Sequence, residues 1–221
     1  MAASAQLSIS WSRPDVLPHG KKPIVLGKTI ESEPLTHVWK WRKNELSGRI
    51  GKTWGVWNTA LMGYAGIDLD GYLTRRVGET EREGARFRIL DVGLGSGWQW
   101  KEFLEAHPGI EFLGIALTLR QVIPEMRGRV KLCTAGRLER HFPSEYFDLI
   151  VSHYGMHFQT IEAFPGIVRL LKPGGEAIAC GGSADDGPDV RFPGHEKQYE
   201  VLATREWNAR QPEWFYHIRK R

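Results

Sequence analysis

Apolar and polar positions alternate along the chain with two different periods, and the change from one to the other marks out elements from Arg88 onward. Ile89, Leu90 and Val92 form a short apolar strand that runs into Gly93-Leu94-Gly95-Ser96-Gly97. Residues 98–107 carry helical spacing, with Trp98, Phe103 and Leu104 as the predicted buried positions and Pro108-Gly109 as the stop. Phe112–Leu117 reads as a second strand. Residues 118–127 are expected to form a helix that Pro124 shortens or kinks. Val130–Thr134 and Tyr146–Ser152 are the third and fourth strands. An amphipathic helix over Ile161–Leu171, with a bend expected at Pro165-Gly166, leads into Glu176–Cys180 as the fifth. Strands that alternate with helices in this way predict an α/β fold, with a mostly parallel sheet and helices on both faces.

The first 85 residues follow a different pattern. Trp39, Lys40, Trp41 and Arg42 alternate as in a half-buried strand, whereas Trp54 and Trp57 have helical spacing. Residues 58–83, with Leu61, Tyr64, Leu73 and Val77, predict helical structure that Gly63, Gly66 and Gly71 break into pieces. Residues 181–198 are rich in glycine, proline and charge and read as a long loop.

Composition narrows this picture only a little. At 221 residues with 41% hydrophobic content, the chain can bury one α/β core with an extension. Residues 1–85 are taken as an N-terminal extension or lid, basic and Trp-rich, and residues 86–221 as the core. Cys133 and Cys180 lack C-x-x-C spacing, which argues against a disulfide framework or zinc site and for reduced thiols. With no spanning apolar run or signal-type core, the expected setting is cytoplasmic with no membrane partner, organellar import remaining an alternative. The formal net charge of +4 suits an anionic partner but does not select one.

The glycine turn carries the most specific chemistry. A dinucleotide-binding turn has its third glycine at the position that Trp98 occupies here, and the sequence instead spaces Gly93, Gly95 and Gly97 alternately. Asp91, two residues earlier, would repel a pyrophosphate and suits a cation or an amine. Asp91-Val92-Gly93-Leu94-Gly95-Ser96-Gly97 resembles the first motif of the class I S-adenosylmethionine-dependent methyltransferases. Leu171-Lys172-Pro173-Gly174-Gly175 is similar to the turn with which that family closes the helix before its fifth strand. The resemblance covers roughly residues 86–221. It implies a Rossmann-like sheet of seven strands, mostly parallel, whose antiparallel C-terminal strand is inserted by a hairpin. Tyr199–Thr204 and Trp214–Ile218 are the candidate hairpin strands.

The resemblance also implies S-adenosyl-L-methionine as cofactor and a set of residues around it. Asp91, Gly93, Leu94, Gly95 and Gly97 fall at its amino-acid end; Ala116 and Leu117 at the end of the second strand; Arg137 and Leu138 after the third; and Ser152 at the end of the fourth. Two positions depart from the family pattern. Ala116 stands where an acid usually meets the ribose, and Arg137, which has only donors, stands where an acid or polar residue usually meets adenine.

The segment after the fourth strand supplies His153, Tyr154 and His157 as candidate base and orienting groups. For either imidazole alone, hydrogen bonding at the strand end and packing of the following helix is the preferred reading, and without a third ligand the histidine pair does not predict a metal. Trp39, Lys40, Trp41, Arg42, Lys43, Trp54 and Trp57 form either a nucleic-acid surface, with cations on phosphates and indoles on bases, or a lid packed on the core. RNA or a ribonucleoprotein is thus one expected acceptor and a small molecule the competitor. A second reading is a catalytically silent member of the fold that serves as an RNA- or protein-binding or assembly factor.

Overall fold

The computed structural model describes residues 14–15, 24–25, 68–120, 122–153, 160–181, 197–206 and 214–221. Near the start, β1 (Pro14–Asp15) and β2 (Ile24–Val25) form a small antiparallel pair. The rest is one seven-stranded sheet made of β3 (Arg88–Val92), β4 (Glu111–Ala116), β5 (Val130–Leu132), β6 (Phe147–His153), β7 (Leu171–Gly181), β8 (Tyr199–Glu206) and β9 (Trp214–Lys220). Its order is β5-β4-β3-β6-β7-β9-β8. The first five of these run parallel, and β9 lies antiparallel between β7 and β8. The seven-stranded, mostly parallel sheet and its inserted antiparallel C-terminal strand are those the resemblance implies.

Three helices pack on the sheet: α1 (Leu69–Arg82), α2 (Trp98–Ala106) and α3 (Thr160–Leu170). One face buries Leu69, Leu73 and Val77 of α1 and Trp100 and Phe103 of α2 against Ile89, Phe112, Leu149 and Ile178. The other buries Phe164, Ile167 and Val168 of α3 against Leu90, Val92, Ile150 and Ala177. Alternation along each strand divides the side chains between the two cores, as a sheet covered on both faces requires.

Four local expectations change. Gly71 does not break α1: its N–H donates to Asp68 Oδ1 at 3.1 Å, so it belongs to the capped first turn that starts the helix. Trp98 is exposed, whereas Trp100, two residues on, is fully buried. No α-helix forms over 118–127. Ile123 is extended, as residues before proline tend to be, and a 3-10 turn runs from Pro124 to Arg129. Pro165 is accommodated inside α3 on its exposed side, and a single helix is formed.

The Leu-Lys-Pro-Gly-Gly turn has a visible mechanical role. Phe147 pairs with Leu171 and Leu149 pairs with Glu176, so residues 172–175 loop out of β7 as a bulge. A Cβ on Gly175 would stand 3.0 Å from the Phe147 carbonyl oxygen, which reserves the position for glycine. Lys172 Nζ reaches across to Asp148 at 2.6 and 2.8 Å, and Asp148 Oδ2 also accepts the Arg88 N–H at 2.8 Å. This ties β3, β6 and the bulge together at the ends of the strands opposite the glycine turn.

Candidate active site

The turn that follows β3 sits where the strand order reverses, since β4 lies on one side of β3 and β6 on the other. Ligands of open α/β sheets bind in the crevice beyond the strand ends at such a point. Gly93, Gly95 and Gly97 have φ of 92°, 62° and 81°, left-handed values that side chains rarely adopt. The Gly93 and Leu94 N–H groups donate to the Ile115 carbonyl at 3.2 and 2.9 Å, and Ser96 accepts from the Ile123 N–H at 3.0 Å. The turn is therefore pinned to β4 and to the segment that replaces the expected helix. A Cβ on Gly95 would meet nothing within 4 Å, but one on Gly97 would stand 3.0 Å from Met126 Cγ.

Beneath this turn lies Asp91, 2% exposed. Its Oδ2 accepts the Trp100 indole N–H at 2.5 Å. Burial pushes its carboxyl up, hydrogen bonds from Trp100 and Gln99 work against that push, and the result is a value of about 7. The strand register sets it between Gly114 of β4 and Val151 of β6, neither of which carries charge. Gln99 donates through Nε2 to the Leu94 carbonyl at 2.8 Å, and its Oε1 is buried with no hydrogen-bond partner among the described residues. The sequence pointed to Asp91 but not to Trp100 or Gln99. Two indoles at i and i+2 fall on different faces of a helix, and only the partner carboxylate shows which is buried.

The remaining predicted positions divide into those near the crevice and those turned into the core. Leu94 and Leu138 are fully buried, and Leu94 Cδ2 fills the space a Cβ on Gly114 would need, at 2.9 Å. The side chains of Leu94 and Leu138 thus hold the turns in place, which leaves only their backbones for a ligand. Ala116 is buried in the core at the end of β4, and Leu117 beyond it is half-buried. Arg137 is half-buried and interrupts its 3-10 turn with φ −134°. Ser152 Oγ donates to the Val92 carbonyl at 2.9 Å and closes the gap between β6 and β3 just below the turn. His153 ends β6, its backbone paired with Cys180. Tyr154, His157 and the Trp- and Lys-rich positions from Trp39 to Trp57 lie outside the described residues. No group of three or more His, Cys, Asp or Glu able to hold a metal occurs among the described residues.

The seven-stranded sheet and the glycine turn at its switch point form a Rossmann-like methyltransferase fold. Residues 90–179 match the family model described as a methyltransferase domain. An uncharacterized methyltransferase of Anoxybacillus flavithermus is 30% identical over 113 residues, which cover 49% of this chain and 52% of the relative. The chain thus spans about half the length of the curated relative it matches. Among solved structures, the fold is similar to that of the 4+2 cyclase SpnF, with a TM-score of 0.48 and 17% identity over 67% of this chain and 80% of that one. It is similar also to an rRNA methylase from Streptococcus thermophilus, with a TM-score of 0.46 and 14% identity over 61% of this chain and 87% of that one. No helix among the described residues is long and apolar enough to cross a membrane.

Proposed function

We propose that the chain is an S-adenosylmethionine-dependent methyltransferase. The observation that supports this most directly is the Asp91 carboxyl, buried with no cationic partner among the described residues beneath a turn of three left-handed glycines at the sheet's switch point. The amino-acid end of the cofactor fits the residues present. Gly95 leaves open space above the turn, Gln99 Oε1 is an unsatisfied acceptor, and Asp91 lacks a charged partner among the described residues. The adenosine end is built differently from the family pattern. Thr118 Oγ1 already accepts the Arg120 N–H at 3.2 Å, and Glu139 Oε2 lies 3.1 Å from where a Cβ on Gly166 of α3 would stand. Each absent hydrogen bond weakens binding by about 0.5 to 1.5 kcal/mol, or roughly tenfold or less in affinity, which a working enzyme tolerates.

The bound cofactor supplies a methyl group already activated on a sulfonium, so the chain's share of the work is to hold and orient. A base is needed only where the acceptor must lose a proton, and His153, Tyr154 and His157 are the candidates. In this reading, residues 1–85 form an extension over residues 86–221 and select the acceptor. RNA or a ribonucleoprotein held by Lys40, Arg42, Lys43 and the neighbouring tryptophans is the favoured acceptor, a small molecule the competitor, and the cytoplasm the expected setting.

Calorimetric titration with S-adenosylmethionine and S-adenosylhomocysteine tests the cofactor. Silence at millimolar ligand would leave only the non-catalytic reading of the fold. For the acceptor, replacing Lys40, Arg42 and Lys43 together is expected to weaken RNA retention and to flatten its salt dependence. Unchanged retention would remove RNA from consideration.

A further inference from the structure

The positive charge of the chain is concentrated in one segment. Residues 118–140 hold six arginines and lysines against two glutamates, a formal net of +4, which equals the net charge of all 221 residues. Both acids are turned toward other elements. Glu125 pairs with Lys101 of α2 at 2.9 Å, and Glu139 Oε2 lies 3.1 Å from where a Cβ on Gly166 of α3 would stand. Arg120, Arg127, Arg129 and Arg140 are exposed and have no carboxylate partner among the described residues. Arg127 Nε donates to the Val122 carbonyl at 3.1 Å, which fixes this side chain without neutralising it. By contrast, Arg88, Lys172, Arg219 and Lys220 each meet a carboxylate elsewhere on the molecule.

The fold gathers these arginines around one edge of the sheet, at the end that carries the glycine turn. β5 is the edge strand, and its residues pair with Gly114, Ile115 and Ala116, where β4 ends. The 3-10 turn Pro124–Arg129 enters β5 from the face covered by α2, anchored by buried Met126; the turn Ala135–Arg140 follows on the face covered by α3, anchored by buried Leu138. Trp98 borders the same surface. It is exposed, its ring centre lies 5.2 Å from Lys101 Nζ, and Lys101 is bonded to Glu125 of the first turn.

We propose that this edge binds single-stranded RNA, with the arginines on its phosphates and Trp98 stacked on a base beside the crevice. The combination of groups selects the partner. Guanidinium forks match phosphate oxygens in two-point contacts, and an exposed indole offers a flat face on which any base can stack. An acidic protein would engage the arginines but leave the indole without a role. The choice of RNA among nucleic acids rests on the acceptor reading above, whereas the surface itself belongs to the core and is separate from the Trp39–Trp57 segment.

The full-length protein is titrated into a fluorescent single-stranded RNA of about 12 nucleotides, with anisotropy read at several salt concentrations and polyglutamate as the acidic control. Arg127→Gln, Arg129→Gln and Arg140→Gln combined are expected to weaken binding by about tenfold or more near 0.1 M salt. The slope of log affinity against log salt should fall by about 2, since each lost phosphate contact on a single strand removes about 0.7. Trp98→Ala is expected to weaken binding by about fivefold or more with the slope unchanged. All four side chains are exposed, so unfolding midpoints close to that of the wild type are expected and check that a loss reads the surface rather than the fold. RNA binding that the arginine variant retains in full, while replacement of Lys40, Arg42 and Lys43 weakens it, overturns the proposal and leaves the acceptor reading standing. Polyglutamate bound as tightly as RNA, with no loss in Trp98→Ala, overturns it in favour of an acidic protein. No RNA binding by the wild type at low salt overturns both this surface and the RNA acceptor, and leaves the calorimetric test of the cofactor untouched.

Discussion

Two carboxylates are buried on the same face of the sheet, near opposite ends of its strands, and the fold treats them in opposite ways. Glu176, 3% exposed at the foot of β7, is surrounded by donors. Its Oε1 accepts from Arg219 Nη2 and Nε at 2.9 and 3.1 Å; its Oε2 accepts the Tyr72 hydroxyl at 2.9 Å and lies 2.6 Å from His217 Nε2. Burial alone would push this acid up, but the bonds from His217, Tyr72 and Arg219 outweigh it and hold the group down at about 2. Asp91, at the head of β3, has among the described residues Trp100 and Gln99 against its burial and remains at about 7. A carboxylate whose partners all come from the fold is a structural joint, here uniting α1, β7 and β9. One without a charged partner among the described residues is the candidate for contact with a ligand.

Breaking the joint should produce the largest effect. Glu176→Ala leaves a guanidinium, a phenol and an imidazole without their shared acceptor, and is expected to cost about 3 to 5 kcal/mol in urea unfolding at neutral pH. The sign of its pH dependence follows from the lowered value. The stability Glu176 contributes is fully present above its ordinary value near 4.5 and is lost as pH falls toward 2. The wild type should therefore lose on the order of 2 kcal/mol over that window, and a Glu176 variant should lose much less.

Asp91→Asn should move stability the other way. A folded-state value raised to about 7 from 3.8 means that the folded protein holds the proton more tightly than the unfolded chain. Its contribution is complete below pH 3.8 and is lost as pH rises through 7, so ionised Asp91 burdens the fold at alkaline pH. The amide cannot ionise, and the variant is expected to exceed the wild type by on the order of 2 kcal/mol at pH 8. Its weaker binding of S-adenosylmethionine completes the contrast. If both carboxylate variants lose stability equally at pH 8, the distinction between joint and binding group fails.

The sequence disclosed one of these carboxylates and concealed the other for a physical reason. Asp91 is set in a local motif, because the glycines beside it must adopt left-handed backbone and the strand before it must be apolar. Glu176 is followed by a strand of small apolar residues, and nothing nearby in sequence shows that Tyr72, His217 and Arg219 will converge on it. The strands and their order were legible for the same reason as the turn, since their burial patterns repeat over a few residues. The helix expected over 118–127 was not, because Ile123 and Pro124 favour extended entry into a 3-10 turn that presses Met126 against Gly97. The choice between Trp98 and Trp100 was also beyond local reading, as it depends on where α2 meets Asp91.

Two glycines separate binding from folding more finely. Gly97→Ala forces a left-handed residue and brings its Cβ to 3.0 Å from Met126 Cγ, so a loss of about 1 to 3 kcal/mol in unfolding free energy is expected. Gly95→Ala meets no neighbour within 4 Å and carries only the backbone strain, about 1 kcal/mol. Its Cβ would occupy the open side of the turn, so calorimetric affinity for S-adenosylmethionine should fall by more than the stability does. Equal losses in both measurements would place Gly95 with Gly97 as a packing residue.

The smallest effect is expected at Trp98, and it is informative because of the indole two residues away. Trp98 is 46% exposed at the start of α2, with Lys101 Nζ 5.2 Å from its ring centre, and that ammonium is already engaged with Glu125. An exposed cation–π contact contributes about 0.5 to 1 kcal/mol at most, and alanine is the better helix former, so Trp98→Ala should change stability by about 0.5 kcal/mol or less. Trp100, by contrast, is fully buried and donates its indole N–H to Asp91. If Trp98→Ala leaves the unfolding free energy unchanged while Trp100→Phe lowers it, the packing around Asp91 depends on the buried indole rather than on aromatic character near the turn. An equal loss in the two variants would instead mean that the environment of Asp91 extends to the surface of α2.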